Sequence, residues 1–286
     1  MIDRRVRRVN QAAGRPAGRH VLYWCRWNRR VESNHALQFA AGLANLLDLP
    51  LLVLQSLSCD YPYANDRLHT FALEAVPDMQ ARLDRLGIGF CFHLARRRGE
   101  AHEALRLLTA EAATVVMDDY PESLAGPPPA LDVECYAVDS SCIVPFRAMA
   151  ERAYAAYSLR PKIRRLLPDF LQAVPAVELA RRYGEPPPRF HTTVSNEAIP
   201  ELVASCEIDH SVPPARGFRG GETEAGRYLD AFLRQGLRRY AAQKNEPAAH
   251  ATSDLSPYLH FGNIGALAVA LEVRTHAEVH KLMAEE

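Results

Sequence analysis

The run Thr252-Ser253-Asp254-Leu255-Ser256-Pro257-Tyr258-Leu259-His260-Phe261-Gly262 concentrates groups that could do chemistry. Thr252, Ser253 and Ser256 bring clustered hydroxyls, and Pro257 follows directly. This pattern predicts a helix N-terminus with Ser256 as N-cap and Pro257 at the first helical position. Gly262 can stop that helix about two turns later. Free N–H groups, the positive end of the helix dipole and the hydroxyls together make a site for an anion such as a diphosphate. On residue physics alone an ordinary capped helix is the more frequent meaning, so cap and anion site both stand. A second stretch, Tyr23 to Leu37, joins an apolar run to a helix through the charged loop Arg26-Trp27-Asn28-Arg29-Arg30. Open α/β sheets bind ligands at such strand ends; a solvated loop is the equal alternative. Arg160, Lys162, Arg164 and Arg165 could meet a phosphate backbone, but a charge run is more often a solvated helix face.

Other chemistries lack their motifs. Gly87-Ile88-Gly89 leads into a strand instead of following one, which is the wrong order for a dinucleotide fingerprint. There is no phosphate-binding G-x-x-x-x-G-K-[ST] loop and no G-x-S-x-G elbow, and His102-Glu103 lacks the second histidine of a zincin. The six cysteines are scattered without a C-x-x-C pair, so no metal site is expected, and free thiols in a reducing cytosol are. Lys and Arg total 34, as do Asp and Glu, so overall charge does not drive nucleic-acid binding, although a local basic face would suffice. No window approaches the roughly 18 apolar residues of a membrane span. Met1 to His20 is arginine-rich without an apolar core, which is not a secretory signal. A disordered or loosely docked arm is expected over residues 1–19.

The elements that must position these residues alternate in the first half. Strands are predicted at Val21–Cys25, Pro50–Leu54, Gly89–Leu94, Thr114–Met117 and Val133–Val138. Helices are predicted at Ala36–Leu47 (capped by Ser33 or Asn34), Asn65–Leu86 (stopped by Gly87) and Glu100–Ala112. The fold class is therefore α/β, a Rossmann-like parallel sheet with helices on both faces over residues 20–145. The turn Pro127-Pro128-Pro129 precedes the last strand. Residues 146–219 are proline-rich and read as a connector with short helical pieces crawling over the first domain. From Thr223, a good N-cap by residue type, Leu229, Phe232, Leu233, Leu237 and Tyr240 recur at helical spacing. A further helix starts near Ala266, so residues 220–286 open an all-helical domain.

Several of these strings resemble one family. Thr252 to Gly262 is similar to T-S-x-L-S-P-Y-L-H-F-G, the flavin-diphosphate segment of photolyases and cryptochromes. The run from Val21 resembles the class II opening, V-L-Y-W followed by R-x-x-x-N-x-A-L. Asp139 to Pro145 resembles that family's step out of the last strand, and Arg160-Pro161-Lys162-Ile163 its connector. Lys244-Asn245-Glu246-Pro247 stands where R-N-D-P is usual, and Gly265 where Ser is common. The resemblance implies a class II cyclobutane pyrimidine dimer photolyase: light-driven, flavin-dependent splitting of dimers in DNA, in the cytoplasm. It implies FAD held by Tyr240, Thr252, Ser253, Leu255 and Ser256, and a second, antenna chromophore of unnamed identity in the sheet domain. Tyr240, by residue pattern alone, is a core aromatic. Relatives continue beyond Glu286 with the rest of the flavin pocket and the tryptophan relay; here the tryptophans are Trp24 and Trp27. The expectation is thus weak or no repair by this chain alone, unless a second chain completes the flavin domain, and no catalytic side chain is assigned. The alternatives are a non-catalytic photolyase fragment and a stand-alone chromophore- or nucleotide-binding α/β module.

Overall fold

The computed structural model describes residues 4–120, 129–149 and 153–279. Pro127, Pro128 and the end of the last helix lie outside the described residues. The centre is a six-stranded sheet in the order β1-β6-β5-β2-β3-β4, with strands β1 Val6–Arg8, β2 His20–Cys25, β3 Leu51–Ser58, β4 Gly89–Ala95, β5 Ala112–Asp118 and β6 Cys135–Val138. Strands β2 to β6 pair in parallel, and β1 pairs antiparallel with β6. Every residue of β2 and of β5 is buried, as expected where helices cover both faces. Alternation sorts the two cores. Val21, Tyr23 and Cys25 of β2 face helix α1 (His35–Leu47) and helix α3 (Val76–Leu86), whereas Leu22 and Trp24 face α4 (Glu103–Glu111). Among the described residues no helix is long and apolar enough to cross a membrane.

The N-terminal arm is not loose, which corrects the sequence expectation. Its β1 closes one edge of the sheet, and Arg5 behind it is buried. The Arg5 guanidinium donates to the carbonyls of Asp139 (3.1 Å), Cys142 (2.8 Å) and Ile143 (2.6 Å). It also lies 5.5 Å from the Phe170 ring. An arginine-rich stretch reads as solvated from its composition; here one arginine satisfies three carbonyls that a sharp turn leaves without partners.

Other differences have local causes. The helix expected over Asn65–Leu86 splits into α2 (Asp66–Glu74) and α3, because Pro77 has no N–H and crowds the carbonyl of Leu73. The connector holds one long helix, α5 (Ala156–Phe170), which runs past Pro161 and Pro168 and buries Phe170. Arg160, Arg164 and Arg165 on it are exposed. Past α5 the connector includes α6 (Ile199–Ala204) and lies along the edge strand β4: Thr192 N–H donates to the Phe92 carbonyl at 2.7 Å, and Tyr183 N–H to that of Gly87 at 2.8 Å. The exposed edge is thereby blunted.

The second half packs on α2. Helix α7 (Glu222–Ala231) passes through a π turn at Phe232–Gly236 into α8 (Leu237–Gln243). Gly221, not Thr223, precedes α7, and Thr223 instead donates its N–H and hydroxyl to Asp78. The extra residue of the π turn shifts the helical phase, so Leu229 and Leu233 reach the core while Tyr240 is left 39% exposed. Helices α9 (Ser256–His260) and α10 (from Ala266, described to Val279) complete the segment. Phe71 of α2 enters this helical core, with ring centroids 5.4 Å from Tyr258 and 4.9 Å from Phe261.

Replacing Arg5 by Ala strands the three carbonyls it serves. Chemical denaturation is expected to show a loss of at least about 2 kcal/mol; a change under about 0.5 kcal/mol would mean that β1 is incidental to stability.

Candidate functional site

A cavity of about 790 Å³ opens at the carboxyl ends of the parallel strands. Its floor is the loop after β2 and the ends of β3 and β5, and its roof is the stretch from Leu259 to Ala266. The loop after β2 is held from below by Asp118, the last residue of β5. One carboxylate oxygen accepts from the N–H groups of Arg26 (2.8 Å), Trp27 (2.7 Å) and Asn28 (3.0 Å), and the other from the Tyr23 hydroxyl (2.7 Å). Three successive N–H groups would make an anion nest; here the nest is filled by the protein's own carboxylate. Anion recognition in the cavity therefore falls to side chains.

Those side chains are aromatic and cationic. Trp27 and Tyr120 lie 5.3 Å apart, and the Arg26 guanidinium sits 4.6 Å from the Trp24 ring and 5.7 Å from that of Trp27. Arg29 lies 5.7 Å from the Phe261 ring on the roof. Burial lowers the basicity of Arg26, Arg29 and Arg30, and the charge of Asp118 acts against this in all three. Burial, then Asp118, pushes the Tyr23 phenol far above its ordinary range, so it stays a neutral donor. Buried polar atoms without a hydrogen-bond partner gather on this wall: Trp27 Nε1, Asn28 Nδ2, Arg29 Nε, Ser56 Oγ and both ring nitrogens of His69. The flat aromatic faces and guanidinium groups of this wall suit a planar, polar-edged ligand.

The roof is docked through Arg30, which is buried. Its guanidinium donates to Asn28 Oδ1 (2.9 Å) and to the carbonyls of Ser140 (2.6 Å), Ser33 (3.2 Å) and Gly262 (3.3 Å). Asn34 caps α1, accepting from the N–H groups of Ala36 and Leu37. Gly262 has φ +74°, and a Cβ there would lie 1.8 Å from the Trp27 carbonyl oxygen. A second clamp joins α7: half-buried Glu222 accepts from the N–H groups of Val31 (2.9 Å) and Glu32 (2.8 Å) and faces Arg82 at 3.6 Å.

The residues expected to hold a flavin lie just before the roof. None of Tyr240, Thr252, Ser253, Leu255 and Ser256 lines the cavity. Thr252 and Ser256 are exposed, Ser253 is half-buried, and Leu255 is buried in the helical core. Tyr240 is stacked edge-on to Phe232 at 5.6 Å, with the Lys244 ammonium 5.5 Å from its ring. Ser256 is not the N-cap: Leu255 is, in helical geometry, and Ser256 is the first helical residue. The physical reason is Asp254, at φ +54°, which turns the chain one residue early. Ser253 Oγ accepts only a long bond, 3.5 Å, from Leu255 N–H, and Thr252 Oγ1 donates to Asp254. Helix α9 thus has no side-chain cap, and its first-turn N–H groups remain for water or an anion. With exposed hydroxyls beside them, these residues fit a diphosphate.

The cavity residues Trp24, Arg26, Trp27, Arg29, His69 and Tyr120 were not individually readable from the sequence. The charged loop after the first strand was the available signal; His69 and Tyr120 carry none.

The DNA photolyase family matches residues 21–179. The chain is 30% identical over 292 residues to the deoxyribodipyrimidine photo-lyase of Methanothermobacter thermautotrophicus, covering 98% of this chain and 62% of that protein. It is 30% identical over 278 residues to the deoxyribodipyrimidine photo-lyase of Arabidopsis thaliana, covering 89% of this chain and 53% of that protein. This chain thus spans less than two thirds of the length of these curated relatives. A crystal structure of an archaeal photolyase from Sulfolobus tokodaii, described as having two FAD molecules with implication of a novel light-harvesting cofactor, superposes with TM-score 0.60 at 15% identity. The match covers 93% of this chain and 56% of that one, and shows a shared fold.

Two expectations follow. Gly262→Ala combines a left-handed backbone with a main-chain clash, and is expected to destabilise by at least about 2 kcal/mol in urea unfolding; wild-type stability would refute the docking geometry. Burial, reinforced by Arg5 and Arg30, lowers the His35 imidazole from 6.5 to about 3. The unfolded chain then binds more protons between these values. This contribution to stability is complete above 6.5 and is lost as pH falls toward about 3. The thermal midpoint should fall with acidification over that interval, and less steeply in His35→Asn; identical slopes would reject His35 as a source.

Proposed function

The chain belongs to the DNA photolyase family, and from that premise we propose that it serves as a class II deoxyribodipyrimidine photo-lyase, splitting cyclobutane pyrimidine dimers in DNA by light. The observation that carries the reading is the continuity of two binding surfaces along one short stretch. Residues 252–256 present uncapped N–H groups and hydroxyls, and residues 259–266 roof the aromatic cavity. The first surface suits the diphosphate of FAD, and the second suits a planar antenna chromophore.

In this reading Thr252, Ser253 and Ser256 hold the FAD phosphates, Leu255 anchors their segment in the helical core, and Tyr240 with Lys244 flanks them. Reduced FAD, when bound and excited, supplies the electron that opens the dimer, and the cofactor carries the hard chemistry. The protein holds and orients: Arg26 and Arg29 offer positive charge to an anionic chromophore edge, and Trp27 and Tyr120 offer flat faces. The dimer must leave the base stack to reach a buried cofactor. Residues 20–145 are proposed as the antenna-type domain, 146–219 as the connector and 220–286 as part of the flavin domain. The free buried thiols suit the reducing cytoplasm. A stand-alone chromophore-binding module is the second reading, favoured by the aromatic and cationic lining of the cavity.

The absorption spectrum of the desalted chain tests both, followed by near-ultraviolet repair of a dimer-containing oligonucleotide. Retained flavin that drops at least about tenfold in affinity in Ser256→Asp supports the photo-lyase reading, because a carboxylate repels the diphosphate. A retained chromophore without flavin, lost in Trp27→Ala, supports the module. No bound chromophore, with no repair after FAD is added, defeats the first reading for this chain.

A further inference from the structure

Cys59, His69 and Cys206 come from three separate places. Cys59 follows β3, His69 sits on α2, and Cys206 follows α6 in the connector. Their candidate ligand atoms lie within 4.8 Å of one another. All three residues are buried, at 1%, 2% and 3% exposure. Both ring nitrogens of His69 are buried without a hydrogen-bond partner. The thiols touch each other and main-chain groups: Cys59 Sγ donates to the Ala95 carbonyl at 3.1 Å and Cys206 Sγ to that of Leu202 at 3.3 Å, and the two sulfurs are in hydrogen-bond contact.

We propose that Cys59, His69 and Cys206 form a Zn²⁺ site that staples the connector to the α/β domain beside the cavity. Two thiols and an imidazole, with no carboxylate among them, select a thiophilic borderline ion over Mg²⁺ or Ca²⁺. Zn–S bonds of about 2.3 Å and Zn–N bonds of about 2.0–2.1 Å put ligand atoms roughly 3.5–4 Å apart in a tetrahedron. From atoms within 4.8 Å of one another, side-chain shifts of about 1 Å reach that spacing. Three protein ligands leave one position to a solvent molecule, the pattern of open zinc sites. On binding, both thiols lose their protons to solvent and the imidazole coordinates as the neutral base, with no change in oxidation state.

The competing account of the two sulfurs is a Cys59–Cys206 disulfide. It leaves His69 with two buried, unpartnered nitrogens, whereas the metal uses one of them directly. His69 also lines the cavity. Zinc would therefore fix the chain between β3 and α2, which borders the cavity, against the connector at α6.

The test is metal loading of the full chain, purified under reducing conditions and equilibrated with Zn²⁺ or Co²⁺. The expected result is one Zn²⁺ per chain by elemental analysis, and thiolate-to-cobalt charge-transfer with tetrahedral d–d bands in the Co²⁺ form. Cys206→Ser and His69→Ala should each weaken Zn²⁺ binding at least about tenfold, while Cys91→Ser, a buried thiol elsewhere, should not. If a ligand variant fails to fold, alkylation of the wild type decides: Zn²⁺ should slow modification of Cys59 and Cys206 and leave Cys91 unaffected. No retained Zn²⁺, a Co²⁺ spectrum without thiolate bands, or a Cys59–Cys206 disulfide in the reduced preparation would each overturn the proposal. The readouts do not depend on flavin, so failure here leaves the photo-lyase reading standing, and the reverse.

Discussion

The carboxylate of Asp118 organises this molecule. It is 1% exposed, and its hydrogen bonds run to Tyr23 and to three successive N–H groups of the loop after β2. A loop that carries three arginines would otherwise turn outward toward water. Buried main-chain N–H groups must find acceptors, and a carboxylate at the end of the neighbouring strand is the strongest one available. With the loop pinned, the Trp27 carbonyl, the Asn28 side chain and the Arg30 guanidinium take fixed places. Each then dictates something else: Trp27 leaves room only for a glycine at position 262, and Asn28 orients Arg30.

The same pinning explains the chemistry of the cavity. Because Asp118 occupies the loop's N–H groups, recognition passes to the guanidinium groups and aromatic rings above. Arginine keeps its charge even when burial lowers its basicity, which is why it can line such a wall where a lysine would risk losing its proton. The cavity is thus flat-faced and cationic at its edge. The hydroxyls of residues 252–256 lie outside that cavity, so one chain segment presents two chemically distinct surfaces.

The junction between the sheet and the helical segment is polar where it is specific and apolar where it is strong. Arg30 with Gly262, and Glu222 with Val31 and Glu32, set the register. Burial raises the Glu222 carboxyl, while the two N–H groups and Arg82 pull it back toward the charged form. Phe71, Tyr258 and Phe261 supply the contact area. Gly220 allows an approach as close as that at Gly262, since a Cβ there would lie 1.8 Å from the Phe71 carbonyl oxygen.

What the sequence determined by itself was whatever is written in local period and local geometry. The buried strand at Val21–Cys25, a second read at Pro50–Leu54 and found at Leu51–Ser58, the helix stop at Gly87 and a cap read as Ser33 or Asn34 and made by Asn34 all depend on neighbours a few residues away. The family strings located the roof and the hydroxyl segment for the same reason. What only the tertiary structure decided depends on partners far apart in the chain. Arg5 became structural because the turn after β6 offers carbonyls more than 130 residues away. Asp254 brought the start of α9 one residue earlier than expected, so that the expected cap Ser256 became its first helical residue, and a π turn precedes the half-exposed Tyr240. Cys59, His69 and Cys206 show no motif spacing, yet the fold gathers them within 4.8 Å. Sequence separation carries no information about such meetings, because they are fixed by which faces of the sheet and helices must be buried together.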